Sequence, residues 1–173
     1  MVLFLAMTLN PANRQGLSKV DAKFLRIIEE FGWHVMTVAP RVDEEGDIFA
    51  YSSGLFHSFG HPEVIIFNLD LNSLQNAVNA IGKQAKSGIV HKIDTNYSGI
   101  VDDRACQFRM VDRSQYREHL GYSIWFYEGM DFPALQAFWP DEAGNFAWSE
   151  GSDGWITTTQ PRLDLPMLKQ KPE

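Results

Sequence analysis

The sequence predicts an α+β fold: a largely antiparallel twisted sheet, or a split-barrel-like sheet, with about three covering helices. Three observations lead there. Apolar runs of strand length recur along the chain, separated by turns rich in Gly, Pro and Asp. Few stretches carry apolar residues at helical spacing. Aromatic residues make up 13% of the 173 residues, with 12 Phe and 5 Trp, which favours strands and large-residue packing. A chain of this length is expected to form one domain over 1–173, with 164–173 as a flexible tail.

The elements follow in order. Val2-Leu-Phe-Leu-Ala-Met reads as a short strand or a packed N-terminal arm, and Asn10-Pro-Ala-Asn-Arg-Gln-Gly as a loop. Ser18 caps a helix with Asp21 as its capping-box partner, Val20, Phe24, Ile27, Ile28 and Phe31 form its apolar face, and Gly32 ends it. Strands are expected at 33–39, 48–53 and 63–69, the last so continuously apolar that it should be central and covered on both faces. A second helix spans 72–87, with Leu74, Ala77, Val78, Ile81 and Ala85 on one face. Further strands are expected at 89–93, 107–111, 123–127 and 134–139, with a short helix at 114–120 and a turn-rich stretch at 94–99. The segment from Asp141 onward is rich in Gly, Pro and polar residues.

Charge and cysteine content exclude some functions. The net charge is −7 and Lys and Arg are scattered, so a phosphate backbone is repelled and a basic protein partner is attracted. The 2–7 run is too short to span a membrane, which takes roughly 20 residues. Cys106 is the single cysteine; it fits a reducing, cytoplasmic setting, and its alternating context reads as a packed strand position.

Four constellations could carry chemistry. The first is His57-x3-His61, a possible metal pair with His91, Asp102 or Asp103 as a third ligand, although Gly60 and Pro62 argue against a helix there. The second is Tyr51, Ser52 and Ser53 before Gly54, a polar strand end that lacks both the nucleophile-elbow and the nucleotide-loop patterns. The third is Gln136 with Trp139, Asp141 and Trp148, followed by Gln160-Pro-Arg-Leu, where large rings could cover the sheet or anchor a partner. The fourth is the acidic pair of turns, Asp43-Glu-Glu-Gly-Asp47 and Asp102-Asp103, which read as solvated.

With these residues in hand, the chain resembles a family of mostly bacterial proteins known as domain of unknown function 4262. The likeness rests on Gly32-Trp-His-Val, on Phe49-Ala-Tyr-Ser-Ser-Gly-Leu-Phe-His-Ser-Phe-Gly-His-Pro-Glu-Val-Ile-Ile-Phe, and on Leu135-Gln-Ala-Phe-Trp-Pro-Asp-x-x-Gly-x-Phe-Ala-Trp closing on Gln160-Pro-Arg-Leu. It covers about 21–163 of the chain. Where members carry Thr-Ile-Gly and Phe-Pro-Trp, this chain has Ser-Ser-Gly and Phe-Ala-Trp. The resemblance implies membership and brings no established activity. The element order is also similar to flavin-reductase split barrels, an analogy at the level of fold.

The expected function is a non-catalytic cytoplasmic binding protein of the immunity or toxin-neutralising type, using Tyr51, Ser52, Ser53, His57, His61, Gln136, Trp139, Asp141 and Trp148 as its ligand or partner site. It is expected to hold no metal and no cofactor and to bind neither nucleic acid nor membrane. One alternative is a flavin-dependent oxidoreductase, with the flavin over 51–54 and His57 and stacked on Trp139 or Trp148. A second is a metal-assisted hydrolase using His57 and His61. All of them require the 51–61 bend and the tryptophan-bearing end to meet in one cleft.

Overall fold

The structure, a computed structural model, describes residues 16–168. The apolar run at 2–7, most of the expected 10–16 loop and the end of the expected tail lie outside the described residues. Helix α1 (Lys19–Phe31) starts at Ser18, whose side chain accepts from Asp21 N while Asp21 reaches back to the Ser18 backbone, and ends at left-handed Gly32. Then come β1 (His34–Val38), β2 (Phe49–Ser53), α2 (Leu55–Phe59), β3 (Glu63–Phe67) and α3 (Leu71–Lys86). The chain continues through β4 (Tyr97–Val101), β5 (Arg104–Met110), a 3-10 turn (Arg113–Gln115), α4 (Tyr116–His119), α5 (Gly121–Tyr127), β6 (Ala134–Phe138) and α6 (Gly154–Thr159).

The strands form one sheet in the order β1-β2-β3-β6-β5-β4. The β3–β6 pairing is parallel and the others are antiparallel, so the expected antiparallel character holds with one exception at the centre. Helix α3 packs on β1, β2 and β3 and also on β4, the opposite edge of the sheet. The sheet therefore curls around α3 as a half barrel. Its concave face buries Val64, Ile66, Phe108 and Leu135 against Leu74, Val78 and Ile81 of α3. Its convex face buries Phe49, Ile65 and Phe67 against Tyr116, Leu120 and Phe132. Strand β3 sends alternate residues into both cores, which is why its apolar run is unbroken. A smaller cluster joins Phe24, Leu25 and Ile28 of α1 to Phe126 of α5.

Several sequence expectations are corrected. Residues expected as a strand at 123–127 form α5: Ser123 and Phe126 are buried at a helical spacing of three, and tertiary packing overrides the β-preference of Ile, Trp, Phe and Tyr. The expected strand at 89–93 contributes one bridge, Ile93 to Phe108. Strand β4 lies where the sequence reads as a turn; Gly99 takes a φ of +73° within it. More helices are present than about three because α2, α4, α5 and α6 are too short to show an amphipathic period. No described helix is long and apolar enough to cross a membrane.

Candidate functional site

The corner between β2 and β3 is organised around Glu63, which is fully buried. Its carboxylate accepts from Ser52 Oγ, from Gly54 N at 2.9 Å, from Phe56 N at 3.2 Å and from the Tyr127 hydroxyl. Burial pushes its pKa up, against these four hydrogen bonds, which favour the charged form. The Tyr127 phenol is raised too, by burial first and by the Glu63 charge second. Ser52 Oγ also accepts from Val64 N at 2.9 Å. Ser53 and Ser123 share a hydroxyl contact of 2.7 Å, and the Tyr51 hydroxyl accepts from Tyr122 N at 3.1 Å. Tyr51, Ser52 and Ser53 are 0–3% exposed. They tie α5 and α2 to β2 and present no polar group to solvent.

His57 and His61 do not form a pair. Residues 55–59 are helical, contrary to the expectation from Gly60 and Pro62; Gly60 supplies the left-handed stop and His61 lies beyond it. The exposed His57 ring meets the Phe126 ring edge-on at 5.6 Å. The buried His61 ring points to His91, with Nε2 2.8 Å from His91 Nδ1. His61 Nδ1 lies 2.7 Å from the Pro62 carbonyl, and His91 Nε2 lies 2.7 Å from Gln84 Oε1, while Gln84 Nε2 donates to Ser98 O at 3.0 Å. Both outer partners are acceptors, so each outer ring nitrogen carries hydrogen; with both rings neutral the inner nitrogens face each other as acceptors, and a proton between them makes one ring cationic. Burial lowers both pKa values, His91 to about 4 with the neighbouring His61 as a second cause. Among the described residues no three His, Cys, Asp or Glu side chains are grouped to hold a metal ion. Asp102 sits in the exposed β4–β5 turn, paired with Arg104 at 3.4 Å.

Of the remaining candidates, Gln136 lies mid-sheet, in register with Ile65 and through it with Tyr51, while Trp139, Asp141 and Trp148 follow the far end of β6. In β3 and β6, which run parallel, Glu63 pairs with Ala134, whereas Phe67 and Trp139 lie at the far ends, joined by Trp139 Nε1 donating to Phe67 O at 3.0 Å. The Glu63 end of the bend and Trp139 are therefore separated by the length of the strands. Gln136 donates to Pro161 O and accepts from Leu163 N, and Gln160 does the same to Trp139 O and Trp139 N. Asp141 accepts from Asn145 N and Asp153 N, closing a turn. Trp148 stacks on Phe146 at an interplanar angle of 7° and lies under Arg109 at 4.2 Å and Arg162 at 5.3 Å. These residues lace the C-terminal segment onto β6 and β5. Tyr51, Ser52, Ser53 and Trp139 are buried, and Trp148 is half-buried.

A groove of about 900 Å³ opens elsewhere, over the outer edge of β1. Ile27 and Phe31 of α1 form one wall; Gln75, Asn76, Asn79, Ala80 and Lys83 of α3 form the other. Trp33, His34 and Val35 lie between them, and Gly99 of β4 closes the far side. His34 packs on Phe24 of α1 at 4.7 Å, while Val35 packs into the α3 core. Successive β1 side chains thus point to opposite walls, and the strand edge that β2 does not pair lies between them. Trp33 is fixed by donating to Asn79 Oδ1 at 3.1 Å. It lies so close to α3 that a Cβ at Gly82 would sit 2.4 Å from the indole Cε2. Phe31 is 53% exposed on the other wall. His34 Nδ1 is buried with no hydrogen-bond partner among the described residues, and burial lowers its pKa.

None of the nine residues singled out from sequence lines this groove. The sequence signal that does reach it is Gly32-Trp-His-Val, part of the family likeness. The α3 wall is polar because it is the outer face of an amphipathic helix, which in sequence looks like any solvated face. The chain belongs to the family described as a domain of unknown function (DUF4262), whose model matches residues 27–153. Every groove residue, from Ile27 to Gly99, falls within that span. No curated protein and no solved structure matches the chain.

Proposed function

We propose that this domain is a non-catalytic binding protein that engages a protein partner, of the immunity or toxin-neutralising type, in the bacterial cytoplasm. The support is a contrast between interior and groove. Ser52, Ser53, Glu63, His61 and His91, which could do covalent or acid–base chemistry, are sealed and each holds an internal hydrogen bond, and burial pushes the Cys106 thiol up to about 12. A thiol held that far from its anion is a poor nucleophile. The groove instead presents two aromatic rings, several amides and one lysine, the residue types that recognise a partner. A buried, reduced Cys106 suits a reducing compartment. The net charge of −7 favours a basic partner and speeds encounter with it.

Affinity capture from a bacterial lysate at low and moderate salt tests this, using the wild-type chain beside a groove-blocked Asn76→Trp variant. A protein retained by the first and lost from the second is the expected result. Recovery of no specific protein at either salt concentration overturns the proposal.

A further inference from the structure

We infer that the groove takes an extended segment of the partner, laid along the free edge of β1 as an added strand. This rests on the protein-binding reading above and names the part of the partner that enters. Among the described residues, strand β1 pairs with β2 on one side alone. Its other edge carries backbone N–H and C=O groups with no described strand beside them, the form in which a sheet accepts a further strand. Natural edge strands are commonly blunted by inward charges, Pro or bulges. His-Val-Met-Thr-Val has none of these. It is instead recessed between two helices, which hinders flat edge-to-edge pairing of two copies and leaves room for a single chain.

Charge gives the segment a direction. The 41–47 loop that follows β1 exposes Asp43, Glu44, Glu45 and Asp47, with Arg41 as its one cation. Asp47 accepts from Asn68 at 2.8 Å, which fixes this acidic loop at the end of the groove where α3 begins. Lys83 is exposed in the last turns of α3, one turn beyond Asn79 and so beside Trp33, at the opposite end. A bound segment therefore carries a basic residue toward the loop and an acidic residue toward Lys83. Between them its side chains alternate, one set against Phe31 and Ile27 and the other against Ala80 and the amides of α3. The strand offers five residues, and the inserted segment is of similar length.

A dodecapeptide phage library supplies the probe. Peptides enriched on the wild-type chain and depleted on Asn76→Trp are synthesised and measured by fluorescence anisotropy, with circular dichroism confirming that each variant is folded. N-methylation scanned along such a peptide should weaken binding at least tenfold at every second residue and little at those between, because one edge of an added strand faces β1. Lys83→Glu should weaken binding severalfold, and replacing the peptide's acidic residue by Lys should restore it. Loss without a two-residue period, or binding indifferent to Lys83→Glu, overturns strand addition. So does a library that yields no groove-dependent peptide, or self-association by light scattering that Asn76→Trp abolishes. If affinity capture still recovers a partner in those cases, the protein-binding reading stands and the strand-addition inference falls alone.

Discussion

Replacing Gly82 by Ala puts one methyl group into the contact that places Trp33. The new Cβ would lie 2.4, 2.7 and 2.9 Å from indole Cε2, Cζ2 and Cδ2, where an ordinary carbon contact needs about 3.5–4.0 Å. The ring must retreat by about 1 Å, and it is the ring that has to move because the helix backbone is packed over the sheet. Overpacking of this kind costs about 1–3 kcal/mol. Retreat also strains the 3.1 Å bond from Trp33 Nε1 to Asn79, which contributes about 1 kcal/mol. Against this, Ala in a helix interior gains about 1 kcal/mol over Gly. The net loss is about 1–3 kcal/mol, and each kcal/mol lowers the melting temperature of a chain this long by about 2–4 °C. The control is Gly121→Ala in α5, where a Cβ meets nothing within 4 Å; its melting temperature should stay level or rise. Differential scanning fluorimetry of the two variants beside wild type is the assay. A Gly82→Ala protein that melts at or above wild type refutes the packing argument for Trp33 and with it the rigidity of that groove wall.

Three further outcomes follow from the buried polar groups. Glu63→Gln turns an amide NH2 toward donors that now find a carboxylate oxygen, so urea denaturation should show a loss of about 1–3 kcal/mol; unchanged stability means the four bonds are not all made in solution. Because His61 and His91 have folded pKa values below the unfolded 6.5, the unfolded chain binds more protons between the two values. Their contribution is full above pH 6.5 and is lost as the pH falls toward about 4; a denaturation midpoint flat over that window, once corrected with His91→Gln, contradicts the neutral pair. Cys106, with its thiol pushed up to about 12, should resist a disulfide reagent at pH 8 until the chain unfolds, and rapid modification of the native protein would show the site to be open.

Local chemistry made much of the fold legible. The Ser18–Asp21 box, the Gly32 stop, the apolar face of α3 and the run in β3 act within a few residues, and each stands where sequence alone places it. Distant partners decided the rest. Nothing near Ser123 announces that its hydroxyl will meet Ser53 and the Ser52 carbonyl, contacts that favour a helix there. Gly99 disguises β4 because its φ of +73° and missing side chain are turn properties. The candidate residues stand out in sequence, and the structure gives several of them backbone partners. Tyr51, Ser52 and Gln136 bond to backbone across the fold and Asp141 to backbone within its own turn, and a polar side chain that serves structure looks in sequence like one that serves a ligand. The groove depends on which strand ends up at the edge, a fact of topology.

The parallel pairing at the centre of the sheet has a consequence for how the chain is made. Strand β6 is the last of the described strands in sequence and yet sits between β3 and β5, and Gln160 and Leu163 bond to it from further downstream still. On the ribosome, every earlier strand emerges while the slot for β6 is empty, leaving two apolar edges open to any neighbouring chain. Release of a nascent chain short of the C-terminal lacing should therefore produce aggregates, and the finished domain should assemble in a single late, cooperative step.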